Sequence, residues 1–528
     1  MSHARLATPP PARLGHSIVS VAAVAAVAAV AAVAAALALA GCGDDRGGPG
    51  PDAGPVDAGI DAPDDPFATM FDSPDDFPRT GCRAGSLAGF AETGSFPLLG
   101  LRLAQDDGAL VTYVSAFLDE VVAPHTLTAD DLIIRDSQFS PVTGRWTLTV
   151  IHVCDVPAPG VLRGHQARCF VDHCSSAHAV EDARFHRLAG EAEGDGLTLL
   201  GERALPRFDA QGMALNVRAD GDVAYLAMGS GGLRTVSVAD PRAPALLGYF
   251  QPAVRNYYND IKLLTVGGRR YAVLAGAPSA VVDVTIPASP QLVAELPVTA
   301  HTLALEGTTA YLVDGASPTL SIYDLADPRA PARRAMWAAP GLHGGGFHDL
   351  HVVDGIAYLS TYGYGITIAD VHDPATPRLL GASPFDVDGR YWHSPWAITI
   401  GGRKLVLNGD EGGSPNLRVL DADPTSPTFL GTVGSWRIPG PISLHNVMAR
   451  GDKAYMAHYQ HGIRVLDLAD PTTPRQVGYF NTWREADATA AYYGSAIGLD
   501  LDPARRRIYV ADTRRGLLVL QATAALMP

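Results

Sequence analysis

A single strand pattern recurs seven times in the last 330 or so residues of this chain. The clearest copies read Val-Ala-Tyr-Leu-Ala from Val223, Thr-Ala-Tyr-Leu-Val from Thr309 and Ile-Ala-Tyr-Leu-Ser from Ile356. Corresponding positions, 40 to 54 residues apart, are Tyr225, Tyr271, Tyr311, Tyr358, Leu405, Tyr455 and Tyr509. A period of this length indicates a repeat architecture, in which each unit buries its apolar face against its neighbours.

Each unit predicts four short antiparallel strands, because apolar or alternating runs are separated by Gly- and Pro-rich turns. In the fourth unit the strands are predicted over 348–353, 356–361, 365–371 and 378–382. The third and fourth strands are joined by an Asp-Pro-x-x-Pro bend, in which proline ends the ladder and Asp caps the turn. The bend begins at Asp240, Asp327, Asp373, Asp423 and Asp470.

The last unit ends after its third strand, Gly516 to Gln521, and so lacks a fourth. Upstream of the first unit, Leu197-Thr-Leu-Leu-Gly-Glu-Arg matches the fourth-strand pattern Ala-Leu-Leu-Gly-Tyr-Phe that begins at Ala245. Pairing these two segments would remove an open sheet edge. We therefore predict an all-β fold, a seven-bladed β-propeller over residues 196–523, closed by an N-terminal strand at about 197–205 in the last blade.

The third strands resemble those of a known repeat family. They read Val-Ser-Val-Ala-Asp from Val236, Ile-Tyr-Asp-Leu-Ala-Asp from Ile322 and Val-Leu-Asp-Leu-Ala-Asp from Val465. They are similar to the strands of proteins with LVIVD repeats, a bacterial surface and lipoprotein propeller family. The stretch from Leu444 to Leu520 looks especially like the end of the choice-of-anchor B group. The resemblance covers residues 197–520 and implies the propeller fold, but no catalytic residues, because the family shares no catalytic motif.

The N-terminal segment predicts export. Arg5 and Arg13 precede an Ala/Val/Leu run from Ile18 to Ala40 that ends in Leu39-Ala-Gly-Cys42, a lipobox. We expect residues 1–41 to be a lipoprotein signal peptide and Cys42 to be the lipidated residue; an uncleaved membrane anchor is the alternative. Either interpretation places the chain in the cell envelope, anchored to a membrane outside the cytoplasm, in the periplasm or at the cell surface; inner versus outer membrane stays open.

Residues 42–80 are expected to be a disordered tether. Residues 43–80 contain ten Asp and seven Pro and few apolar side chains. Burying so little apolar surface would not offset the conformational entropy lost when the segment becomes ordered. With Arg46 and Arg79 they contribute −8 of the net charge of −15. The negative charge therefore lies mostly in the tether. The sequence contains no basic stripe, so we do not expect a nucleic-acid partner.

Residues 81–195 are interpreted as a small β-rich module, with Trp146 to Val153 as the best strand. This segment contains Cys82, Cys154, Cys169 and Cys174, an even set, so two disulfides are expected in an oxidising compartment, with three pairings open. The rival interpretation is a metal site, because His165, Cys169, Cys174 and His178 have ligand-like spacing.

The strand order divides the propeller into two faces. The first-to-second turns and the Asp-Pro bends lie on one face and are short and stereotyped. The opposite face carries the second-to-third hairpins and the variable connections into each inner strand, where binding commonly occurs. The alternative is that its rings only plug the channel mouth and pack neighbouring blades. Candidate ligand-face residues are His301, His348, His393, His445, Tyr362, Tyr364, Trp392, Trp396, His458, Tyr459, His461, Asp260 and Asp410.

Three histidines share a register: His301, His348 and His445 each lie ten residues before the aligned Tyr of their unit, and His393 is two residues out of step. Equivalent positions on inner strands lie at one height, so these imidazoles could converge and bind a divalent metal if a carboxylate such as Asp260 or Asp349 completes the set. The structural alternative, which we favour, is that each His bonds a neighbouring backbone carbonyl.

No nucleophile elbow, phosphate-binding loop, His-Glu-x-x-His or EF-hand loop is present. The leading hypothesis is therefore a lipid-anchored extracytoplasmic binding protein that uses the aromatic and His-rich face to recognise a glycan, a peptide or an envelope protein. The alternative is a propeller lyase or hydrolase with a metal or paired histidines at the channel mouth, which fold alone does not license. A purely structural spacer is the third hypothesis.

Overall fold

A computed structural model describes residues 65–67, 70–71, 73–116, 119–140, 145–170, 173–175, 177–206, 212–253, 256–342, 345–385, 391–412 and 417–528. These residues form strands and two short 3-10 helices, Pro74–Asp76 and Glu485–Asp487. The predicted signal peptide and Cys42 lie outside the described residues. Within the described ranges, no helix has the length and apolar character needed to cross a bilayer.

The module consists of two antiparallel sheets. The first has four strands in sequence order, β1 Gly94–Phe96, β2 Leu101–Asp106, β3 Ala109–Ala116 and β4 Asp119–Ala123. The second has the order β10-β8-β7-β6-β5, with β9 paired to β8; its strands are β5 His125–Leu127, β6 Leu132–Ser140, β7 Arg145–Ala158, β8 Val161–Phe170, β9 His173–Cys174 and β10 His178–Ala183. A core that includes Leu101, Val114, Ile134 and Ile151 joins the two sheets.

The repeats form successive antiparallel sheets, named blades 1 to 7. Before them lie β11 Gly194–Asp195 and β12 Leu197–Arg203. Blade 1 is β13 Asn216–Asp220, β14 Val223–Ala227, β15 Leu233–Ser237 and β16 Ala245–Phe250; blade 2 is β17 Asp260–Val266, β18 Arg269–Ala275, β19 Ser279–Asp283 and β20 Gln291–Leu296; blade 3 is β21 Thr302–Glu306, β22 Thr309–Val313, β23 Thr319–Asp324 and β24 Ala332–Ala338.

Blade 4 is β25 Phe347–Val353, β26 Ile356–Thr361, β27 Gly365–Asp370 and β28 Arg378–Ala382; blade 5 is β29 Trp392–Ile400, β30 Arg403–Asp410, β31 Leu417–Asp421 and β32 Thr432–Trp436; blade 6 is β33 Val447–Arg450, β34 Lys453–Ala457, β35 Ile463–Asp467 and β36 Arg475–Phe480; blade 7 begins with β37 Ala496–Asp502, β38 Arg507–Asp512 and β39 Gly516–Ala522. The observed strands of blade 4 match the predicted ones to within one residue at each end.

Blade 7 takes its fourth strand from the N-terminal side, as predicted. Strand β12 pairs antiparallel with β39, Leu197 opposite Ala522 and Arg203 opposite Leu517. Its register shifts between Leu199 and Gly201, which is the same bulge that the fourth strand of blade 1 makes before Gly248. Leu197 is buried between blades 6 and 7 with Ile463, Leu520 and Leu526. The first and last parts of the propeller are therefore held together in one sheet.

The Gly of the fourth-strand bulge allows close contact between neighbouring blades. A Cβ added at Gly248 would lie 2.7 Å from the carbonyl oxygen of Pro287 in the bend of blade 2. At Gly201 it would lie 2.5 Å from the carbonyl oxygen of Pro241 in the bend of blade 1. The proline bends and the Leu-Gly strands thus meet at each of these boundaries, and the boundary between blades 7 and 1 uses the same contact as the one between blades 1 and 2.

Two boundaries of the predicted domains differ from the structure. Phe67 and Phe77 are buried against Ile133, Leu148 and Val150 of the module, so the described residues from 65 onwards do not fit a disordered tether. The prediction rested on the many Asp and Pro residues and did not weigh these two aromatic rings, which supply enough apolar surface to pack on the module. Gly194–Asp195, assigned to the module, pairs with β36 as a fifth strand of blade 6.

The expected pair of disulfides is confirmed. Cys82 bonds to Cys154 and Cys169 bonds to Cys174, the second across adjacent strands β8 and β9. The rival metal site with Cys169 and Cys174 as ligands is wrong, because both sulfur atoms are consumed by a covalent bond that leaves no thiolate.

A Gly-to-Ala exchange tests whether blades 7 and 1 are joined. Gly201→Ala should lower the free energy of unfolding by about 1–3 kcal/mol, because its Cβ would overlap a backbone carbonyl that side-chain rotation does not relieve. Gly248→Ala at the equivalent position of blade 1 is the matched control and should cost a similar amount. Urea unfolding measures both; a loss in Gly248→Ala without one in Gly201→Ala would contradict the junction.

A buried carboxyl in the module should make stability depend on pH. Asp182 is 2% exposed, accepts a 3.0 Å hydrogen bond from the Leu99 N–H and leaves its Oδ1 without a partner. Burial raises the pKa of Asp182 from 3.8 to about 7. Since the folded pKa exceeds the unfolded one, the folded state binds more protons between these values, and stability falls as the pH rises from about 4 to above 7.

Asp182→Asn removes this ionisation. It should raise the free energy of unfolding by about 1–3 kcal/mol at pH 8 and change it little at pH 4. Thermal unfolding from pH 4 to 8 gives the comparison, with the exposed Asp106→Asn as control. Equal effects of Asp182→Asn at both ends of this range would refute the assignment.

Candidate functional site

An axial cavity of about 390 Å³ lies between the inner strands of the blades. It extends from Asp220 and Arg270, beside the first-to-second turns, to Asn259, His393 and His445 near the starts of the inner strands. An inner strand has about five residues along the cavity, and at about 3.3 Å per residue the cavity is roughly 17 Å long. The cavity therefore reaches the face with the short turns, which the sequence analysis treated as structural.

Charged groups of both signs line the cavity, among them Arg218, Lys262, Asp349 and Asp500. Asp260, 3% exposed at its side chain, forms an ion pair with Lys262 and accepts hydrogen bonds from the Asn216 side chain at 2.6 Å and the Leu303 N–H at 3.1 Å. Burial alone would raise the pKa of Asp260, but the Lys262 ammonium and the Arg218 guanidinium hold it below its ordinary value.

Asp349 has a different environment in the same cavity. Burial, reinforced by the neighbouring Asp260 carboxylate, raises its pKa to about 7. Close by, His351 stacks on Trp396, with ring centroids 4.2 Å apart, and its Nδ1 accepts a 3.0 Å hydrogen bond from the Ala397 N–H. The predicted site residues Asp260 and Trp396 thus lie in the axial cavity, where they contact polar strand residues of neighbouring blades.

At the inner end of the cavity, His301, His348, His393 and His445 form an axial histidine row. Consecutive ring centroids are 4.3, 4.7 and 4.3 Å apart. These residues come from four consecutive blades, at or just before the starts of β21, β25, β29 and β33. The predicted convergence is therefore observed, and it includes His393 despite its shifted register.

Glu411, from the hairpin after β30, faces this row. Its carboxylate oxygens lie 3.5 Å from His348 Nε2, 3.9 Å from His393 Nε2 and 3.7 Å from His445 Nε2. The Tyr459 hydroxyl donates a hydrogen bond to the same carboxylate. The predicted completing carboxylate, Asp260 or Asp349, was wrong, because Asp260 is paired with Lys262 and Asp349 lines the cavity beside that pair. In the sequence, the only signal for Glu411 is its position next to Asp410, a predicted ligand-face residue.

Backbone carbonyls orient two of the imidazoles. His393 Nδ1 lies 3.1 Å from the carbonyl oxygen of His445, and His445 Nδ1 lies 2.6 Å from that of Ile497. A carbonyl only accepts, so Nδ1 carries the proton in both rings and Nε2 keeps its lone pair. The predicted structural role, a bond to a neighbouring carbonyl, is thus present here, and it presents Nε2 to Glu411.

Burial keeps the row uncharged at neutral pH. It lowers the pKa of His301 to about 4 and the pKa of His348 and His393 well below the ordinary 6.5, against the opposing attraction of Glu411 on His301 and His393. The pKa of His445 is lowered by the same cause. Neutral imidazoles are the form that donates a lone pair to an electrophile.

Much of the predicted ligand face is buried. His458, Tyr459, His461, Trp392 and Asp410 are each at most 6% exposed. The module covers part of it: Phe185 packs on His461 and Trp483, Ser95 Oγ donates to the Thr489 carbonyl at 2.7 Å, and the Ala490 N–H donates to Glu120 at 2.8 Å. These side chains are therefore packed inside the protein and do not form an open binding surface.

The remaining predicted residues are distributed at the edge of this face. Tyr362 packs on His348, with centroids 4.5 Å apart, and Tyr364 packs on the exposed Phe385 at 5.2 Å. Asp410 lies 3.6 Å from Arg418, whose guanidinium covers the Trp392 ring. The tyrosine contacts lie within or directly after blade 4 and the Arg418 contacts lie within blade 5, so these side chains do not converge on one ligand.

The Asp260–Lys262 pair should be costly to break from one side. Asp260→Asn should lower the free energy of unfolding by about 3 kcal/mol, because Lys262 loses its counter-ion in a largely buried position. The double variant Asp260→Asn/Lys262→Met should recover part of that loss. Urea unfolding of both proteins is the measurement, and equal losses would show that the ammonium does not depend on this carboxylate.

The LVIVD repeat family matches residues 211–251 and 443–482, which correspond to blades 1 and 6. No curated protein sequence matches the chain. Similar solved structures include BamB from Moraxella catarrhalis, with 14% identity over 78% of this chain and 98% of that chain and a TM-score of 0.39. The C-terminal WD40 domain of Sif2 has 9% identity over 62% of this chain and 98% of that chain, with a TM-score of 0.42. The fold assignment rests on the strand pairing and the repeats.

Proposed function

This chain carries LVIVD repeats in a β-propeller, a fold consistent with a protein-interaction role, and we propose that it is an exported, lipid-anchored binding protein whose ligand enters the axial cavity. Support for export comes from the lipobox ending at Cys42 and from two disulfides, which are typical of oxidising compartments. The module covers part of the opposite face and leaves the short-turn face as the route of entry.

The cavity carries the proposal. Its volume of about 390 Å³ falls in the range of pockets that hold small ligands and is too small for a folded protein surface to enter. Fixed charges of both signs, with Trp396 as an aromatic wall, suit a polar chain end. We therefore favour the end of a peptide or glycan over a folded envelope protein as the ligand.

A comparison of two aromatic residues tests where the ligand binds. Libraries of short peptides and short oligosaccharides are screened against the wild-type protein by ligand-observed NMR. For each ligand retained, Trp396→Ala should weaken binding about tenfold, because a stacking wall of the cavity is lost. Phe385→Ala, 58% exposed on the opposite face, is the matched aromatic control and should bind normally.

The opposite result, binding lost in Phe385→Ala and kept in Trp396→Ala, would show that the ligand binds on the aromatic face and not in the axial cavity. Failure of the wild-type protein to retain any library member would count against a binding role for the cavity.

A second candidate function is a lyase or hydrolase that acts at the inner end of the cavity. One observation favours it: His393 and His445 both line the cavity and both face Glu411. Imidazole and carboxylate groups within reach of a bound ligand are the residue types that acid–base or metal-assisted chemistry requires.

A further inference from the structure

The end of the axial cavity brings together imidazole nitrogen atoms and one carboxylate, all of which can bind a metal ion. His301, His348 and His393 form one set whose ligand atoms lie within 4.8 Å of one another, and His393, Glu411 and His445 form a second. The two sets share His393. Three of these five residues are less than 9% exposed, and the Glu411 side chain is 13% exposed. Such a site excludes most competing water.

The distances fit the edges of a coordination shell. With bonds of about 2.1 Å to a central ion, neighbouring donor atoms lie about 3.0–3.5 Å apart and opposite ones about 4.2 Å. The observed separations from Glu411 oxygens to the three Nε2 atoms are 3.5, 3.9 and 3.7 Å. They exceed the range of ordinary hydrogen bonds and fall between these two limits.

Two further observations point to a missing partner. His393 Nε2, the ring nitrogen that faces Glu411, is buried without a hydrogen-bond partner, and an unsatisfied buried nitrogen atom is costly. Among the described residues, no Lys or Arg forms an ion pair with Glu411, whose ionic contacts are all to imidazoles. A cation between the rings and the carboxylate would satisfy both groups at once.

Supporting contacts are also in place. The carbonyl oxygens of His445 and Ile497 accept from the Nδ1 atoms of His393 and His445, which leaves each Nε2 free to donate electrons. Tyr459 holds the Glu411 carboxylate, and the Glu411 N–H donates to the Tyr391 carbonyl at 2.7 Å. Partners of this type orient ligands in metal sites.

We propose that His393, His445 and Glu411, with His348 as a further ligand, bind one divalent first-row transition-metal ion. Imidazole nitrogen with a single carboxylate selects Zn²⁺, Co²⁺, Ni²⁺ or Fe²⁺ over Ca²⁺ and Mg²⁺, which require oxygen donors. Because His393 and His445 also line the axial cavity, the ion would face a ligand there. The metal site goes beyond the proposed function, since a binding protein could operate without it.

Co²⁺ is the probe, because its visible absorption reports coordination by nitrogen donors. Wild-type protein, stripped with a chelator and dialysed, should take up one equivalent of Co²⁺, show visible bands and melt at a higher temperature with Co²⁺ or Zn²⁺ present. His393→Ala and His445→Ala should bind at least about 100-fold more weakly, and Glu411→Gln, which keeps the side-chain volume, at least about tenfold more weakly.

His351→Ala is the matched control, because His351 is a cavity histidine outside the donor set and should bind Co²⁺ like the wild type. The proposal is overturned if wild-type protein takes up no stoichiometric Co²⁺ or Zn²⁺, a measurement that needs no variant to fold. It is also overturned if His351→Ala loses as much affinity as His393→Ala, or if Ca²⁺ displaces Co²⁺. None of these results changes the peptide and oligosaccharide screen, which is run without metal.

Discussion

The pairing of Leu197–Arg203 with Gly516–Ala522 is the constraint on which the rest of the propeller depends. It joins segments more than 300 residues apart into one sheet, so that blade 7 has four strands and presents no open edge at β39. The same strand carries Gly201 against the Pro241 bend of blade 1. The first and last inner strands also contact each other directly, as in the 2.7 Å hydrogen bond that the Ala219 N–H donates to Asp500. The closing strand adds to these contacts in fixing the relative positions of the strands that line the cavity.

Burial inside that ring favours the neutral form of every ionisable side chain, and neighbouring charges decide where that effect is overcome. In the axial cavity, Asp260 remains ionised because Lys262 and Arg218 stand beside it, whereas Asp349, next to another carboxylate, has a raised pKa. In the histidine row, desolvation dominates and the imidazoles are neutral. The cavity is thus a region of fixed, paired charge that ends at a set of uncharged lone-pair donors around one carboxylate. This contrast makes the inner end chemically distinct from the mouth.

Some features of the propeller could be predicted from its repeats, and others could not. The closing strand was predictable because Leu-Leu-Gly at Leu199 repeats the pattern of the fourth strand of blade 1, and the glycines of both copies, Gly201 and Gly248, contact the next blade. The alignment of three histidines was predictable because equal sequence offsets place residues at equal heights in a ring. Glu411 was not identified as their partner, since its position depends on a hairpin of blade 5 folding back over the row. The burial of His461 was missed for a similar reason: the residue that covers it, Phe185, belongs to a module with no repeat pattern.

By itself the sequence determined the all-β class, the repeat count, the strand boundaries of blade 4 and the evenness of the cysteine set. These follow from short-range rules, namely period-two alternation, proline bends and glycine turns, which act within about 50 residues. Only the tertiary structure decided which cysteines pair, which face of the propeller is covered, where the cavity opens and which carboxylate meets the histidines. Those features depend on side chains from different blades and from the module, and their relative positions exist only once long-range packing has brought them together.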